Sequence, residues 1–230
     1  LVQWRMPSSV DEVDVFRSPA PGAIHALVAD HVVQGRVLFP GAAYLEVARA
    51  AATPRAALQG VYFLRPLAVE AAGLLIECAV GDGRFEVRSG EDDAMSGVAV
   101  HCSGALVGSA SSPGAEHDLA CMLVMSSHAA HVDALYDGFD AVGVQYGPGY
   151  RTLVHVWGGQ RDALARLRVR WTQEGTHVHP ADLDDALCTS VAIGSRRIEA
   201  RLPFAVDDAW LQAAPGGLWA VRIERVLTMW

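Results

Sequence analysis

The chain has 230 residues, 51% of them hydrophobic, enough for a large core in one domain or in two intimate halves. A formal charge of −8, with no basic stripe to offset it, argues against a nucleic-acid partner. Cys78, Cys102, Cys121 and Cys188 are scattered without metal-ligand or disulfide spacing and read as reduced, cytoplasmic thiols, and no apolar run reaches the roughly 18 residues of a membrane span.

Residues 1–24 read as an edge strand followed by the Pro-rich turn Ser18-Pro19-Ala20-Pro21-Gly22, with His25 a turn histidine. Then comes His31-Val32-Val33-Gln34-Gly35-Arg36-Val37-Leu38-Phe39-Pro40, an imidazole, a turn glycine and a proline ahead of a small-residue apolar run. Pro40 suits the first turn of a helix, where its missing N–H is not needed. Ala42 to Ala52 reads as that helix; only Glu46 and Arg49 are charged, which predicts burial on most sides. The N–H groups of Gly41 and Ala42 at its start are suited to a ligand atom carrying partial negative charge.

Leu58–Val69, Leu74–Val80, Phe85–Arg88 and Val98–Val107 read as strands, with turns at Gly81-Asp82-Gly83 and Ser89–Asp93. One apolar helix followed by an antiparallel meander describes a hotdog, a sheet wrapped around a central helix. The Ser/Gly/Pro-rich stretch Gly108–Glu116 reads as a linker, which divides the chain into 1–108, a linker over 109–131, and 132–230. Val132–Val142 reads as a helix stopped by Gly143, and strands are expected near Thr152–Trp157 and Ala163–Trp171. Arg166, Arg168 and Arg170 alternate with Leu167 and Val169, predicting a solvated strand face. A second helix is expected from Pro180 to about Ile193 with Gly194 beyond it, then strands near Arg197–Phe204 and Leu218–Leu227. Each half thus has a histidine loop, a proline at a helix start and strands around that helix, an α+β architecture of two hotdogs.

His31-x-x-x-Gly35-x-x-x-x-Pro40 resembles the catalytic-histidine motif of the dehydratase domains of modular polyketide synthases. Tyr146-Gly147-Pro148-Gly149-Tyr150 is similar to that family's Tyr-Gly-Pro-x-Phe signature, with tyrosine in the last place. His179-Pro180-Ala181-Asp182-Leu183-Asp184-Asp185-Ala186-Leu187-Cys188 resembles its His-Pro-x-x-Leu-Asp-x-x-x-Gln/His segment, and Leu202-Pro203-Phe204 fits its pattern before a late strand. Four matches in order are specific where one alone would be weak. The resemblance implies a double hotdog that removes water from a 3-hydroxyacyl thioester on an acyl carrier protein, leaving a 2,3-unsaturated thioester. It implies no metal and no diffusible cofactor, since the phosphopantetheine arm arrives with the carrier. Neighbouring synthase domains and a homodimer are the other partners it implies; a chain that begins at Leu1 suits a piece of such a synthase.

The elimination needs a base for the C2 proton and an acid for the departing hydroxyl. Neutral imidazole serves the first need. A carboxylic acid serves the second only if burial keeps it protonated. Residue chemistry leaves Asp182, Asp184 and Asp185 as rival acids, with Asp182 suited to the helix dipole and Asp185 turned about 100° from Asp184. The resemblance selects His31 as base and Asp184 as acid. It places Cys188, four residues on, where the family has a glutamine or histidine that orients the aspartate; a thiol is a poor substitute. Asp184 is then expected to be held less firmly, or by water or Tyr146. Tyr146 is a candidate donor to the substrate hydroxyl or a packing residue, Gly35 a turn residue near the substrate, and Gly41 with Ala42 candidate donors to the thioester carbonyl. The same pair of groups could instead serve a cyclase or a double-bond isomerase, and a scaffold without turnover is the alternative outside enzymes.

Overall fold

The computed structural model describes residues 1, 3–7, 13–52, 56–108, 128–193, 205–209, 218–223 and 226–229. Its strands and helices, in chain order, are β1 (Trp4–Met6), β2 (Asp14–Pro19), α1 (His25–Val28), β3 (His31–Val33), β4 (Arg36–Val37), α2 (Gly41–Ala51), β5 (Ala56–Phe63), β6 (Leu74–Gly81), β7 (Arg84–Glu91) and β8 (Ser96–Gly108). They continue with β9 (His128–Ala130), α3 (Val132–Ala141), β10 (Val144–Tyr146), β11 (Leu153–Gly158), β12 (Asp162–Leu167), α4 (Pro180–Cys188), β13 (Ala205–Ala209), β14 (Leu218–Ile223) and β15 (Val226–Met229).

A seven-stranded antiparallel sheet, ordered β1-β2-β6-β7-β8-β5-β13, curves over α2. A five-stranded sheet, ordered β15-β14-β12-β11-β9, covers α4 in the same way. The two central helices pack on each other. This is the double hotdog that the residue pattern led us to expect. Ala42, Ala43 and Ala48 let α2 come close to both its sheet and α4, and all three are fully buried. Leu183 of α4 belongs to the same apolar cluster as Leu45, Val61, Ile76 and Val87, so the second helix completes the first core.

Glu46 of α2 is 1% exposed, yet its carboxylate is well provided with donors. Arg49, one turn on, gives two hydrogen bonds, at 2.7 and 2.8 Å, and the backbone N–H groups of His177 and Val178 reach it from the loop before α4. A buried charge persists only when paired in this way.

Several element ends differ from the pattern-based expectation. β5 stops at Phe63, not Val69, because the end of the apolar run turns to β4 and the residues after it: the N–H of Phe39 donates to the Leu67 carbonyl (2.8 Å) and that of Val69 to the Val37 carbonyl (3.2 Å). β7 runs on to Glu91; its turn starts at Asp92, whose own carboxylate accepts from the N–H of Ala94 at 2.9 Å. β12 ends at Leu167, and α4 gives way after Cys188 to a 3-10 turn, Thr189–Ala192. β9 lies within 109–131, the span assigned to the linker, and pairs with β11, while β13, late in the chain, pairs with β5. Residues 109–127, Gly194 and Leu202-Pro203-Phe204 lie outside the described residues. Among the described residues no helix is long and apolar enough to cross a membrane.

Replacing Leu183 by alanine removes a 4%-exposed side chain from the core it shares with α2. The expected cost is about 2–5 kcal/mol, read as a lower denaturant midpoint with an unchanged slope.

Candidate active site

β3 and β4 form a hairpin through Gln34 and Gly35, both at positive φ (50° and 77°), as a two-residue turn of right-handed twist requires. β10 then pairs with the other edge of β3, setting Tyr146 directly opposite His31. His31 is 5% exposed. Its Nδ1 lies 2.8 Å from the carbonyl oxygen of Leu38. A carbonyl only accepts, so Nδ1 carries the hydrogen and Nε2 holds the free lone pair.

The turn after β10 explains the spacing of Tyr146-Gly147-Pro148-Gly149-Tyr150. The N–H of Gly147 donates to the Asp30 carbonyl oxygen at 2.8 Å, and the N–H of Gly149 to the Asp30 carboxylate at 2.6 Å. A Cβ on Gly147 would lie 2.3 Å from Asp30 Oδ1, so only glycine fits. Folded this way, the rings of Tyr146 and Tyr150 stack 10° from parallel, with centroids 5.8 and 5.6 Å from that of His31.

α4 brings the acid. His179 caps it, with Nδ1 accepting from the N–H of Ala181 at 3.2 Å, and Pro180 takes the first helical position. Burial, with Arg170 nearby, pushes the His179 imidazole down to about 3, so it is neutral and its lone pair is available for the cap. Asp184, one turn further, is 9% exposed. Its Oδ2 accepts from the Tyr146 hydroxyl at 2.9 Å and lies 3.9 Å from His31 Nε2. Burial raises the Asp184 carboxyl above the usual carboxylate range, while His31 and the Tyr146 hydrogen bond pull it back.

Cys188 lies beside Tyr146, its Sγ 3.3 Å from the phenol oxygen, and its thiol is pushed well up by burial. Tyr146 therefore stands between Cys188 and Asp184. His31, Tyr146, Asp184 and Cys188 thus form one cluster. Gly35 is elsewhere, at the exposed tip of the β3–β4 hairpin with nothing within 4 Å of where a Cβ would be. Pro40 is the N-cap of α2 and Gly41 its first residue; the N–H groups of Gly41 and Ala42 in that first turn have no intrahelical acceptor, and no side chain caps the turn.

The rival aspartates have other partners. Asp182 accepts from Arg170 Nε at 2.7 Å, and Arg170 also donates to the Gly149 carbonyl at 2.7 Å. Of the arginines expected on a solvated strand face, Arg166 is exposed on β12 and Arg168 is exposed just beyond its end, while Arg170 is a largely buried tie between α4 and the glycine turn. Asp185 is fully buried and faces Tyr136 and Thr152. Tyr136, Thr152 and Asp30 were not identified from the residues. Asp30 had one available signal, its place next to His31; the other two had none, being far in sequence from what they bind. Among the described residues no group of three or more His, Cys, Asp or Glu is placed to hold a metal.

Two family models match the chain: one described as polyketide synthase dehydratase domain over residues 1–89, and one described as polyketide synthase dehydratase N-terminal domain over residues 116–225. Among curated proteins, the chain is 37% identical over 183 residues to the polyketide synthase ThaG of Burkholderia thailandensis, a match covering 72% of this chain and 3% of that protein. It is 33% identical over 219 residues to the polyketide synthase GfsE of Streptomyces halstedii, covering 87% of this chain and 6% of that protein. The chain thus spans only a small part of the curated relatives it matches. Among solved structures, the dehydratase domain from the CurK module of the curacin polyketide synthase superposes with a TM-score of 0.83 at 23% identity, covering 96% of this chain and 85% of that one. The dehydratase domain from the CurF module gives 0.84 at 19% identity, covering 99% and 91%. Two further structures are CurK dehydratase mutants described as inactive, one histidine-to-phenylalanine and one aspartate-to-asparagine.

Burial pushes the Asp185 carboxyl up from 3.8 to about 7. A raised carboxyl holds its proton in the folded chain where the unfolded chain has released it. Its contribution to stability is therefore full at low pH and lost as pH rises through about 7. Equilibrium unfolding followed from pH 4 to 8 should show stability declining with pH, and Asp185→Asn should flatten that decline.

Proposed function

Because the chain belongs to the polyketide synthase dehydratase family, we propose that it eliminates water from a 3-hydroxyacyl thioester to give the 2,3-unsaturated thioester, with His31 as base and Asp184 as acid. One geometry carries this reading: a basic Nε2 and a buried carboxyl 3.9 Å apart, neither on a fully sealed residue. The inactive CurK mutants change the same two residue types.

Nε2 takes the C2 proton as negative charge moves onto the thioester carbonyl oxygen. The N–H groups of Gly41 and Ala42, at the positive end of α2, are the donors suited to receive it. Tyr146 occupies Oδ2 of Asp184, which leaves Oδ1 to carry the acidic proton toward the C3 hydroxyl. The C3–O bond breaks, water leaves, and the pair is left as imidazolium and carboxylate. Return of one proton across the 3.9 Å gap, directly or through the released water, restores the neutral pair. Cys188 acts at one remove, by contact with the Tyr146 phenol, and Gly35 and Pro40 shape the backbone on either side of β4. The acyl group is proposed to arrive on the phosphopantetheine arm of a carrier protein within a multidomain synthase. This elimination calls for no metal or diffusible cofactor, and a homodimer is the proposed assembly.

The test is direct. The purified chain is given 3-hydroxyacyl thioesters of several lengths and the products are weighed for loss of water. Turnover by the native chain, with His31→Phe and Asp184→Asn each lowering it by about 100- to 10,000-fold at unchanged unfolding midpoint, is the expected result. An inert native chain across all lengths, or full activity in either variant, would overturn the assignment.

A further inference from the structure

The turn that carries Tyr146 is held from outside. Gly147 and Gly149 give its backbone much conformational freedom to lose, and Pro148–Tyr150 is a single 3-10 turn. Three guanidinium groups close on its carbonyl oxygens: Arg151 Nε donates to that of Tyr146 at 2.8 Å, Arg168 Nη2 to that of Pro148 at 3.2 Å, and Arg170 Nη2 to that of Gly149 at 2.7 Å. Arg151 and Arg168 are exposed. Arg170 differs: its side chain is 12% exposed, and its Nε also donates to Asp182 Oδ1 at 2.7 Å. One planar group therefore spans from the glycine turn to the first turn of α4. Its own segment is anchored by the N–H of Arg168, which donates to the Thr152 carbonyl at 2.7 Å. Among the described residues, the other hydrogen bonds between α4 and residues 146–150 are those of the Tyr146 phenol with Asp184 and Cys188.

A single phenol–carboxyl hydrogen bond holds two elements together only weakly, whereas a charge-assisted pair is stronger and directional. Asp182 and Asp184 lie two residues apart on one rigid helix, so fixing the first places the second. We propose that the Arg170 fork, by gripping Asp182 and the Gly149 carbonyl together, sets the separation at which Asp184 meets Tyr146 and His31, which makes Arg170 a positioning residue for the dehydration. This inference rests on the reading of Asp184 as the acid and adds what puts it in place. Arg170 acts through the Tyr146–Asp184 bond, since that 2.9 Å contact directs the carboxyl and is the one that a shift of α4 against the turn would open. In Arg170→Lys the positive charge beside Asp182 remains, but a compact ammonium cannot hold both acceptors in one plane. In Asp182→Asn an oxygen remains for Nε and the charge is lost.

The experiment has a kinetic and a spectroscopic arm, both on the intact chain. With a 3-hydroxyacyl thioester that the native chain dehydrates, Arg170→Lys should lower kcat by about 10- to 100-fold and leave KM within about twofold, because the residue places the acid without touching substrate. In a Tyr146→Phe background the same change should cost less than about twofold, where independent effects would simply add. Arg17→Lys is the control. Arg17 is an equally buried tie, to Glu77 at 2.8 Å on the first sheet, and its change should leave kcat within about twofold. By NMR without substrate, the Tyr146 hydroxyl proton, assigned by its loss in Tyr146→Phe, should exchange with water at least about tenfold faster in Arg170→Lys and at the native rate in Arg17→Lys. Asp182→Asn should give the same pattern at smaller size, and it serves if Arg170→Lys does not fold. Hydroxyl exchange left at the native rate by both variants, or a kcat loss of equal size with and without the Tyr146 hydroxyl, overturns the inference. Faster exchange in Arg170→Lys, with no turnover in the native chain, would leave the strut standing and remove the enzymatic reading instead.

Discussion

The three-residue ladder between β3 and β10 is the contact on which the site depends. Side chains alternate along a strand, so a slip of one residue would turn Tyr146 to the opposite face, away from Asp184. So short a ladder could not hold its register alone. It is pinned at both ends: the Gln34 N–H donates to the Gly143 carbonyl at 2.7 Å, and the Gly147 N–H to the Asp30 carbonyl at 2.8 Å. Gly143 takes φ 87° to make the first of these, and Gly147 needs its missing Cβ to make the second. Two glycines that do no chemistry therefore decide which way a phenol faces.

The buried carboxylates show a graded pattern. Glu46 and Asp182 each have an arginine, at 2.7 Å, and are structural ties. Asp185 has only neutral donors, three of them. Asp184 has one phenol and a histidine that can be charged or neutral. The cost of removing these charges from water is offset by different groups, and burial still raises the carboxyls of Asp182, Asp184 and Asp185. A buried carboxyl with no arginine beside it is held toward its protonated form, as burial does to both Asp184 and Asp185. Proton chemistry thus resides where the fold supplies the fewest compensating groups.

Much of this was legible in the residues. α2 follows from Pro40 and the alanine-rich run after it, and β6, β7 and β8 follow from apolar and β-branched runs bounded by glycine and polar turns. Strand ends were less legible. Nothing within Leu64–Val69 says that Leu64 still bonds to His101 of β8 while Leu67 and Val69 bond to Phe39 and Val37, because an apolar run reports burial and not its neighbour. The same limit applied at the site. Three aspartates within four residues of one helix look alike in sequence; what separates them is Arg170, Tyr146 and the Tyr136–Thr152 pair, from 12 to 49 residues away. Family resemblance selected Asp184 where residue chemistry alone did not. Cys188 departs from the motif, and the contact it makes, with a phenol and not a carboxyl, is set by the fold and not by its place in the sequence.

Glu46 has a further implication for the architecture. Two similar hotdogs in tandem invite the idea of separable modules, each able to exist without the other. The hydrogen bonds from His177 and Val178 weigh against it, because the central helix of one hotdog meets part of the solvation demand of its charge with backbone from the other. Cut between the two, the first would keep a half-satisfied anion in its interior, and the second would lose the anchor just ahead of its His179 cap. The two hotdogs thus share one buried charge and the donors that solvate it.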